Sequence, residues 1–247
     1  MTPAQAQNTT EGMPVQGTVS TAHVLPGRAH GAPALHALFE QVQVWQANAR
    51  HAPASGIRTG IHSLDAALPM GGWPPAALTE ILLPAWGLGE LDLLMPTLAR
   101  LTRNQQRIAL IAPPFIPHAA AWQRAGVRLD FLDLIECTDT ARALWAFEQC
   151  LRAACHAAVL GWPDHATPAQ LRRLQVAADQ GQTPGFILRH QRHAVQTSPA
   201  ALRMQLLPGH AVQVIKCRGG AIPAHALSFR PASNAPAITP PSWQRTG

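Results

Sequence analysis

The sequence predicts an α/β fold, with a mostly parallel sheet flanked by helices and an antiparallel hairpin at its C-terminal edge. Stretches with helical periodicity alternate with short apolar runs that are bounded by turn-forming residues, a pattern typical of parallel strands joined by crossover helices. These runs are ALTEILL, RIALIAPP, LDLIEC, AAVLGW and GFILRH. Two later runs have no helix between them and predict a hairpin that turns at Pro208 and Gly209, namely LRMQLL and HAVQVIKC.

The chain of 247 residues divides into a central domain and terminal segments of different composition. Residues 1–33 are rich in Ala, Gly, Gln, Thr and Pro, and residues 229–247 are rich in Pro, Ala and Ser. Such segments have too little apolar content to offset the entropy of ordering, so we expect both to be disordered. Residues 34–55 predict a helix and a linker, and the domain itself is expected to span residues 56–228.

The helix that precedes the domain has one apolar face. Leu35, Leu38, Val42 and Trp45 recur at helical spacing and need a surface that buries them. One interpretation is that they bind a groove of a partner, which makes these four residues our candidates for partner binding. The alternative is that the helix packs on the sheet of its own chain.

Two further helices are predicted from end signals and periodicity. The stretch IHSLDAALPMGGWPP predicts a short helix that Pro69 ends, followed by a Gly-Gly-Trp-Pro-Pro turn. In TARALWAFEQCLRAA, Leu144, Phe147 and Leu151 share one face, which predicts an amphipathic helix packed on the sheet.

The stretch TPAQLRRLQVAADQG has the clearest helix boundaries. Thr167 is suited to the N-cap, Pro168 to the first helical position, and Gln170 completes a capping box with Thr167. Gly181 is suited to a stop after the last turn.

The composition excludes several classes of protein. No apolar run reaches the roughly 18 residues of a membrane span, and the first residues lack the pattern of a secretory signal. We therefore expect a cytoplasmic protein without membrane contact. None of the four cysteines forms a C-x-x-C pair and no H-E-x-x-H motif occurs, so no metal site is predicted. Asp130 and Asp133 lie close together, but RLDFLDLIE favours a turn leading into a strand over a catalytic carboxylate pair.

The net charge of +6 favours polyanionic partners. Lys216 and Arg218, in IKCRGG, are the candidate nucleic-acid contacts because two adjacent cations could bind phosphate. A solvated strand end explains these two residues equally well.

The segment TEILLPAWGLGEL has the layout of a strand, a phosphate-binding loop and a helix. Gly87 and Gly89 would let backbone N–H groups point inward, but Glu90 and Leu91 stand where a phosphate loop has its lysine and its hydroxyl residue. The chain has a single lysine, Lys216, which lies far from this loop in sequence. The negative charge of Glu90 would also repel a phosphate.

The carboxylate that such a site needs at the end of a neighbouring strand is missing as well. AAVLGW ends in Gly161 and Trp162, and IALIAPP ends in Pro113 and Pro114. A phosphoryl-transfer enzyme requires the lysine, the metal ligand and a group that orients water. We therefore expect a vestigial phosphate loop, no nucleotide or other cofactor, and no enzymatic activity.

Four segments together resemble ImuA, the accessory protein of bacterial mutagenesis cassettes. They are GIHSLDAALPMGGWPPAALTEILLPAWGLGELDLLMPTLARLT, RIALIAPPFIPHAAAWQRAGVRLDFLDLIE, ALWAFEQCLRAACHAAVLGW and IKCRGG. The chain is also similar to the wider RecA superfamily and to SulA-like proteins, which share a RecA-like core with a degraded nucleotide site. The resemblance covers about residues 34–220 and implies a RecA-like sheet.

What the resemblance implies about function is an accessory role without catalysis in translesion DNA synthesis after SOS induction. The implied partners are an ImuB-type, Y-family-like polymerase protein, an error-prone DnaE-type polymerase and RecA, with any DNA contact indirect. The alternative is a SulA-type inhibitor of cell division that acts on the division GTPase FtsZ. The similarity of the cores keeps both interpretations open at the level of sequence.

Overall fold

A computed structural model describes residues 55–229, and the structural statements below concern that part of the chain. Eight strands form one sheet: β1 (Leu78–Leu83), β2 (Ile108–Ile111), β3 (Leu132–Ile135), β4 (Ala158–Gly161), β5 (Gly185–His190), β6 (Leu202–Leu207), β7 (Ala211–Cys217) and β8 (Leu227–Ser228). Five α-helices accompany them: α1 (His62–Ala67), α2 (Glu90–Arg103), α3 (Ala119–Arg124), α4 (Thr140–Arg152) and α5 (Pro168–Gln180). Leu129–Phe131 and Gln191–Val195 form short 3₁₀ helices.

The strand order across the sheet is β3-β2-β4-β5-β1-β6-β7-β8. Strands β1 to β6 pair in parallel with one another. Strand β7 is antiparallel to both of its neighbours, β6 and β8. The predicted mostly parallel α/β sheet is therefore confirmed, as is the hairpin between β6 and β7. The hairpin does not end the sheet, however, because the two-residue strand β8 pairs outside β7.

Helices cover both faces of the sheet, so the domain has two apolar layers. On one face, residues of α1, α2 and α3 pack with Trp73, whose ring meets the edge of Phe186 at 5.4 Å. On the other face, α4 and α5 pack with Leu78 and Val159. The predicted face of α4 is confirmed, because Leu144, Phe147 and Leu151 are all buried.

The predicted start of α5 is confirmed. Thr167 and Gln170 form a reciprocal capping box and Pro168 opens the helix. Gly181 also ends the helix, but its φ of −85° is ordinary for any residue. A Cβ atom at this position would lie 1.8 Å from the carbonyl oxygen of Leu151, so glycine is required there by the close approach of α4.

One proline follows the end of helix α1, and another lies inside helix α2. Helix α1 ends at Ala67, just before Pro69, as expected. Helix α2 begins at Glu90 and has Pro96 in its interior. The proline therefore does not delay the start of this helix. Leucines of α2 are buried on both sides of Pro96, and their burial offsets the hydrogen bond that proline cannot make.

Phe229, the residue after the expected boundary at residue 228, packs on the domain. The ring of Phe229 is 1% exposed, and its N–H donates to the carbonyl of His210 at 2.7 Å. Phe229 is therefore part of the core and not of a tail. Residues 1–54 and 230–247 lie outside the described residues, and the predictions made for them remain predictions.

A carboxylate lies at the centre of the sheet. Glu80, in the middle of β1, is fully buried. Its Oε1 accepts a hydrogen bond from Arg189 of β5 at 3.0 Å, and its Oε2 accepts one from Arg203 of β6 at 2.7 Å. Both guanidinium groups are also buried, so this ion pair network joins the three adjacent strands without contact with solvent.

The two arginines also hold the loops that cover this part of the sheet. Arg189 donates to the carbonyl oxygens of Asp164 and Ala166, at 3.2 and 3.0 Å. Arg203 donates to the carbonyl of His193 at 2.6 Å. Carbonyl oxygens thus take up several of the guanidinium N–H groups that one carboxylate cannot satisfy. Nε of Arg189 is buried without a hydrogen-bond partner among the described residues.

Asp164 forms a second polar cluster beside this network. Its Oδ1 accepts the backbone N–H of His190 at 2.9 Å and lies 3.2 Å from Nε2 of His193, and its Oδ2 pairs with Arg192. Burial alone would raise the pKa of Asp164, but the His190 N–H and the neighbouring positive charges outweigh it and lower this pKa.

We expect Glu80→Gln to lower the free energy of unfolding by roughly 3–5 kcal/mol, because the substitution leaves two buried guanidinium groups without a counter-charge. Urea denaturation at neutral pH measures this loss. Glu136→Gln, at an exposed position, is the matched control and should change stability by less than about 0.5 kcal/mol. Equal stability of the two variants would contradict a central role for Glu80.

We expect Asp164→Asn to be less stable than the parent protein at pH 7, with a difference that shrinks in acid. Since the folded pKa of Asp164 is lowered, its contribution is present above the unfolded value of about 3.9 and is lost as the pH falls through the folded value. Urea midpoints at pH 7 and pH 3 test this. Asp130→Asn is the control, because the Asp130 side chain is 82% exposed. A difference that stays constant with pH would contradict the assignment.

Candidate functional site

The loop between β1 and α2 has the backbone of an anion-binding turn but is closed by its own carboxylate. Gly87 and Gly89 both have positive φ, 79° and 96°. Glu90 is the first residue of α2 and is buried, and its Oε1 accepts the N–H of Gly87 at 2.8 Å. The carboxylate of Glu90 therefore takes the position toward the loop that a bound phosphate oxygen would need.

The charges at the N-terminus of α2 also disfavour a bound phosphate. The N-terminus of a helix attracts negative charge, and here Glu90 and Asp92 supply two carboxylates within the first turn. Leu91, between them, packs partly buried against the core. The other oxygen of Glu90, Oε2, is buried without a hydrogen-bond partner among the described residues. A phosphate brought to this loop would meet the negative charge of these carboxylates.

Large apolar side chains are exposed beside this loop, at the carboxyl ends of the strands. Leu88, in the loop itself, is 58% exposed, and Phe115 and Ile116, after β2, are 64% and 85% exposed. Leu134 at β3 is 40% exposed. We call these four residues the apolar rim.

Three of the rim residues, Phe115, Ile116 and Leu134, line an open concavity of about 330 Å³. Its lining residues are Ala112, Pro113, Pro114, Phe115, Ile116, Leu134, Glu136 and Cys137. A Cβ atom placed on Gly87 would lie 3.8 Å from the Phe115 ring, which shows how closely the two loops approach. A contiguous apolar surface of this kind marks a binding site more often than a random surface does.

The backbone that leads into Phe115 is strained. Ala112 has a φ of 45°, in the left-handed region that costs about 1–3 kcal/mol for a residue other than glycine. Its N–H donates to the carbonyl of Ile135 at 2.8 Å, which ties the turn to β3. Two prolines then follow and carry Phe115 and Ile116 away from the sheet.

The sequence analysis missed this surface. It treated PPFIP only as a strand end without a carboxylate, although two large apolar residues enclosed by prolines in a turn have no element in which to be buried. From that pattern, the exposure of Phe115 and Ile116 could have been predicted.

The candidate nucleic-acid residues hold a neighbouring loop. Lys216 Nζ donates to the carbonyl of Ser198 at 2.7 Å, and Arg218 donates to the carbonyl of Pro199 at 3.2 Å. Burial and the neighbouring Arg218 and Arg203 lower the pKa of Lys216. Both cations therefore have a structural use here, and contact with nucleic acid stays a prediction.

The candidates for partner binding lie outside the described residues, namely Leu35, Leu38, Val42 and Trp45. Within residues 55–229, no three His, Cys, Asp or Glu side chains form a group that could hold a metal ion. In the same range, every helix is too short or too polar to cross a bilayer.

Comparison with known proteins identifies curated relatives. The chain is 31% identical over 121 residues to the cell division inhibitor SulA of Photorhabdus laumondii subsp. laumondii, an alignment that covers 49% of this chain and 68% of that protein. It is 31% identical over 102 residues to the cell division inhibitor SulA of Edwardsiella piscicida, covering 41% and 61%. The crystal structure of SulA from Pseudomonas aeruginosa aligns at 30% identity with a TM-score of 0.41, over 47% of this chain and 99% of that one. No family profile matches the chain.

These relatives confirm the SulA-like part of the predicted resemblance, whereas the ImuA assignment and the RecA-like superfamily remain predictions. Because the chain covers 68% of a SulA protein to which it is 31% identical, it belongs to the SulA family.

Proposed function

We propose that this protein inhibits cell division by contact, as a SulA-type inhibitor, and that its target is the division GTPase FtsZ. The observation that carries the proposal is the relationship to two proteins named cell division inhibitor SulA, at 31% identity in both cases. This corresponds to the alternative that the sequence analysis kept open, and it has better support than the ImuA-type interpretation.

The apolar rim is the surface we assign to the target. Its side chains are large and exposed, and three of them, Leu88, Phe115 and Ile116, stand on loops that the sheet positions. Aromatic and aliphatic side chains of this kind, buried at the centre of a contact, supply most of the binding energy of an interface. Phe115 is the expected anchor because its ring borders both the concavity and the Gly87 loop.

The loop beside the rim supports action by contact over action by chemistry. Glu90 satisfies the N–H of Gly87, and Leu91 has no hydroxyl group to bind a metal ion. The protein would therefore act on its target stoichiometrically, in proportion to the fraction of the target that it binds.

A second function is an accessory role in translesion synthesis with ImuB-type and DnaE-type polymerase partners and RecA. Its support is the sequence resemblance of the four quoted segments and the extent of the chain beyond its SulA relatives, whose first alignment covers 49% of it. In this function the helix with Leu38 and Trp45 would bind the partner. Co-purification with an ImuB-type protein from DNA-damaged cells, abolished by Leu38→Asp with Trp45→Asp, would favour it over division inhibition.

We expect the purified protein to suppress GTP-dependent FtsZ assembly, and the double variant Phe115→Ser with Ile116→Ser to lose this effect. Removing an anchor of an interface costs about 2 kcal/mol or more, which corresponds to roughly thirtyfold weaker binding. Light scattering and sedimentation of FtsZ polymers, at a series of inhibitor concentrations, measure the change.

The matched control for this variant is Val195→Ser with Ile222→Ser, at positions that are 92% and 52% exposed and lie outside the rim. It should inhibit as the parent protein does. Full inhibition by a folded rim variant would show that the rim is not the contact surface. Absence of inhibition by the parent protein, together with no binding to FtsZ, would overturn the proposed function itself.

We expect no hydrolysis of ATP or GTP above background, with or without DNA, and none in Glu90→Lys. A lysine at this position restores one charge, but Leu91 provides no metal ligand, and β2 and β4 end without a carboxylate to orient water. Phosphate release measures this. Turnover by the parent protein that Gly89→Trp abolishes would contradict the interpretation of the loop.

A further inference from the structure

A thiol, an imidazole and a carboxylate are arranged in series near the amino-terminal ends of β3 and β4. Cys155 and His156 precede β4, and Asp133 lies near the start of β3. The Sγ atom of Cys155 is 3.3 Å from Nδ1 of His156, and Nε2 of His156 is 3.1 Å from Oδ2 of Asp133. The thiol is on an exposed residue, whereas the imidazole side chain is only 9% exposed.

The carboxylate determines which imidazole nitrogen carries the proton. Because the Oδ2 atom of Asp133 can only accept, the hydrogen bond places the proton of neutral His156 on Nε2. Nδ1 is then left as an acceptor that faces the thiol of Cys155. This is the order nucleophile, base and orienting acid that activates nucleophiles in general.

The acid of this series is kept ionised by a fourth residue. Arg107 donates to both carboxylate oxygens of Asp133. Its hydrogen bond, joined by that of His156, holds the pKa of Asp133 below its ordinary value. The charged and titratable groups that act on the thiol are thus His156, Asp133, Arg107 and the neighbouring Cys150.

The other three thiols have no comparable base. Burial raises the pKa of Cys137, of Cys150 and of Cys217, which disfavours their reactive thiolate forms. None of them lies within hydrogen-bond distance of an imidazole among the described residues.

We propose that Cys155 is a nucleophilic thiol, activated by His156 with Asp133 as the positioning residue, and that it is the site at which low-molecular-weight disulfides modify this protein. The inference is independent of the proposed division target, since it rests on Cys155, His156 and Asp133 and on none of the four rim residues.

The reaction is a thiol–disulfide exchange. Nδ1 of His156 accepts the proton of the Cys155 thiol as the sulfur attacks one sulfur atom of the small disulfide. The S–S bond of that disulfide breaks, a new S–S bond to Cys155 forms, and the second thiolate leaves and takes a proton from the imidazolium. The Cys155 sulfur is oxidised, the leaving sulfur is reduced, and His156 returns to its neutral form.

The test uses the full-length reduced protein with oxidised glutathione, followed by intact-protein mass spectrometry. We expect one glutathione to be added rapidly at pH 7 and Cys155→Ser to lose this rapid phase. An ordinary thiol is only about 3% ionised at pH 7, so loss of the base in His156→Gln should slow the reaction roughly tenfold. Asp133→Asn should slow it in the same direction.

The pH dependence separates activation from a structural effect. At pH 9.5 thiols ionise without help from a base, so His156→Gln and Asp133→Asn should approach the rate of the parent protein there. Cys217→Ser, which removes a half-buried thiol, should leave the rapid phase unchanged at both values. The proposal is overturned if Cys155→Ser keeps the rapid phase. It is equally overturned if folded His156→Gln and Asp133→Asn match the parent rate at pH 7, or are slowed by the same factor at pH 7 and pH 9.5.

Discussion

The burial of Glu80 between Arg189 and Arg203 is the constraint on which the rest of the domain depends. Strand β1 lies between β5 and β6, and each of these strands contributes one of the arginines. A carboxylate placed inside an apolar strand is costly unless it is paired, so the three strands must assemble in this order for all three charges to be satisfied. The network therefore favours one arrangement of the sheet over others with a similar apolar pattern. It also fixes the loops after β4 and β5, whose carbonyl oxygens complete the hydrogen bonding of the guanidinium groups.

Local sequence signals were sufficient for the elements but not for this network. The capping box of α5, the hairpin between β6 and β7 and the apolar face of α4 each depend on residues close together in the chain, and each was predicted. The ion pairs of Glu80 instead join residues that are 109 and 123 positions apart. In the sequence, Glu80, Arg189 and Arg203 are single charges within apolar runs, and nothing local shows which charges meet.

The candidate site shows the same division between local and tertiary information. The missing lysine and hydroxyl group of the loop could be recognised from the sequence alone, because a phosphate loop needs particular residue types at fixed spacing. The burial of Glu90 and its hydrogen bond to Gly87 could not, since they depend on how the first turn of α2 folds back on the loop. Likewise, the exposure of Phe115 follows from the left-handed turn at Ala112, which alanine adopts only when the surrounding structure imposes it.

The glycines of the β1–α2 loop determine how Leu88 is presented. Gly87 and Gly89 flank Leu88, and their positive φ angles turn the chain so that the leucine side chain projects into solvent. An exposed loop with this freedom would sample many conformations, but the carboxylate of Glu90 ties it down through the N–H of Gly87. The Phe115 ring approaches this loop at Gly87, next to Leu88. In the proposed function, a loop ordered in this way would lose less entropy on binding its target. In the proposed function, the carboxylate of Glu90 would thus have two effects: it occupies the loop, and it orders the loop for an apolar contact.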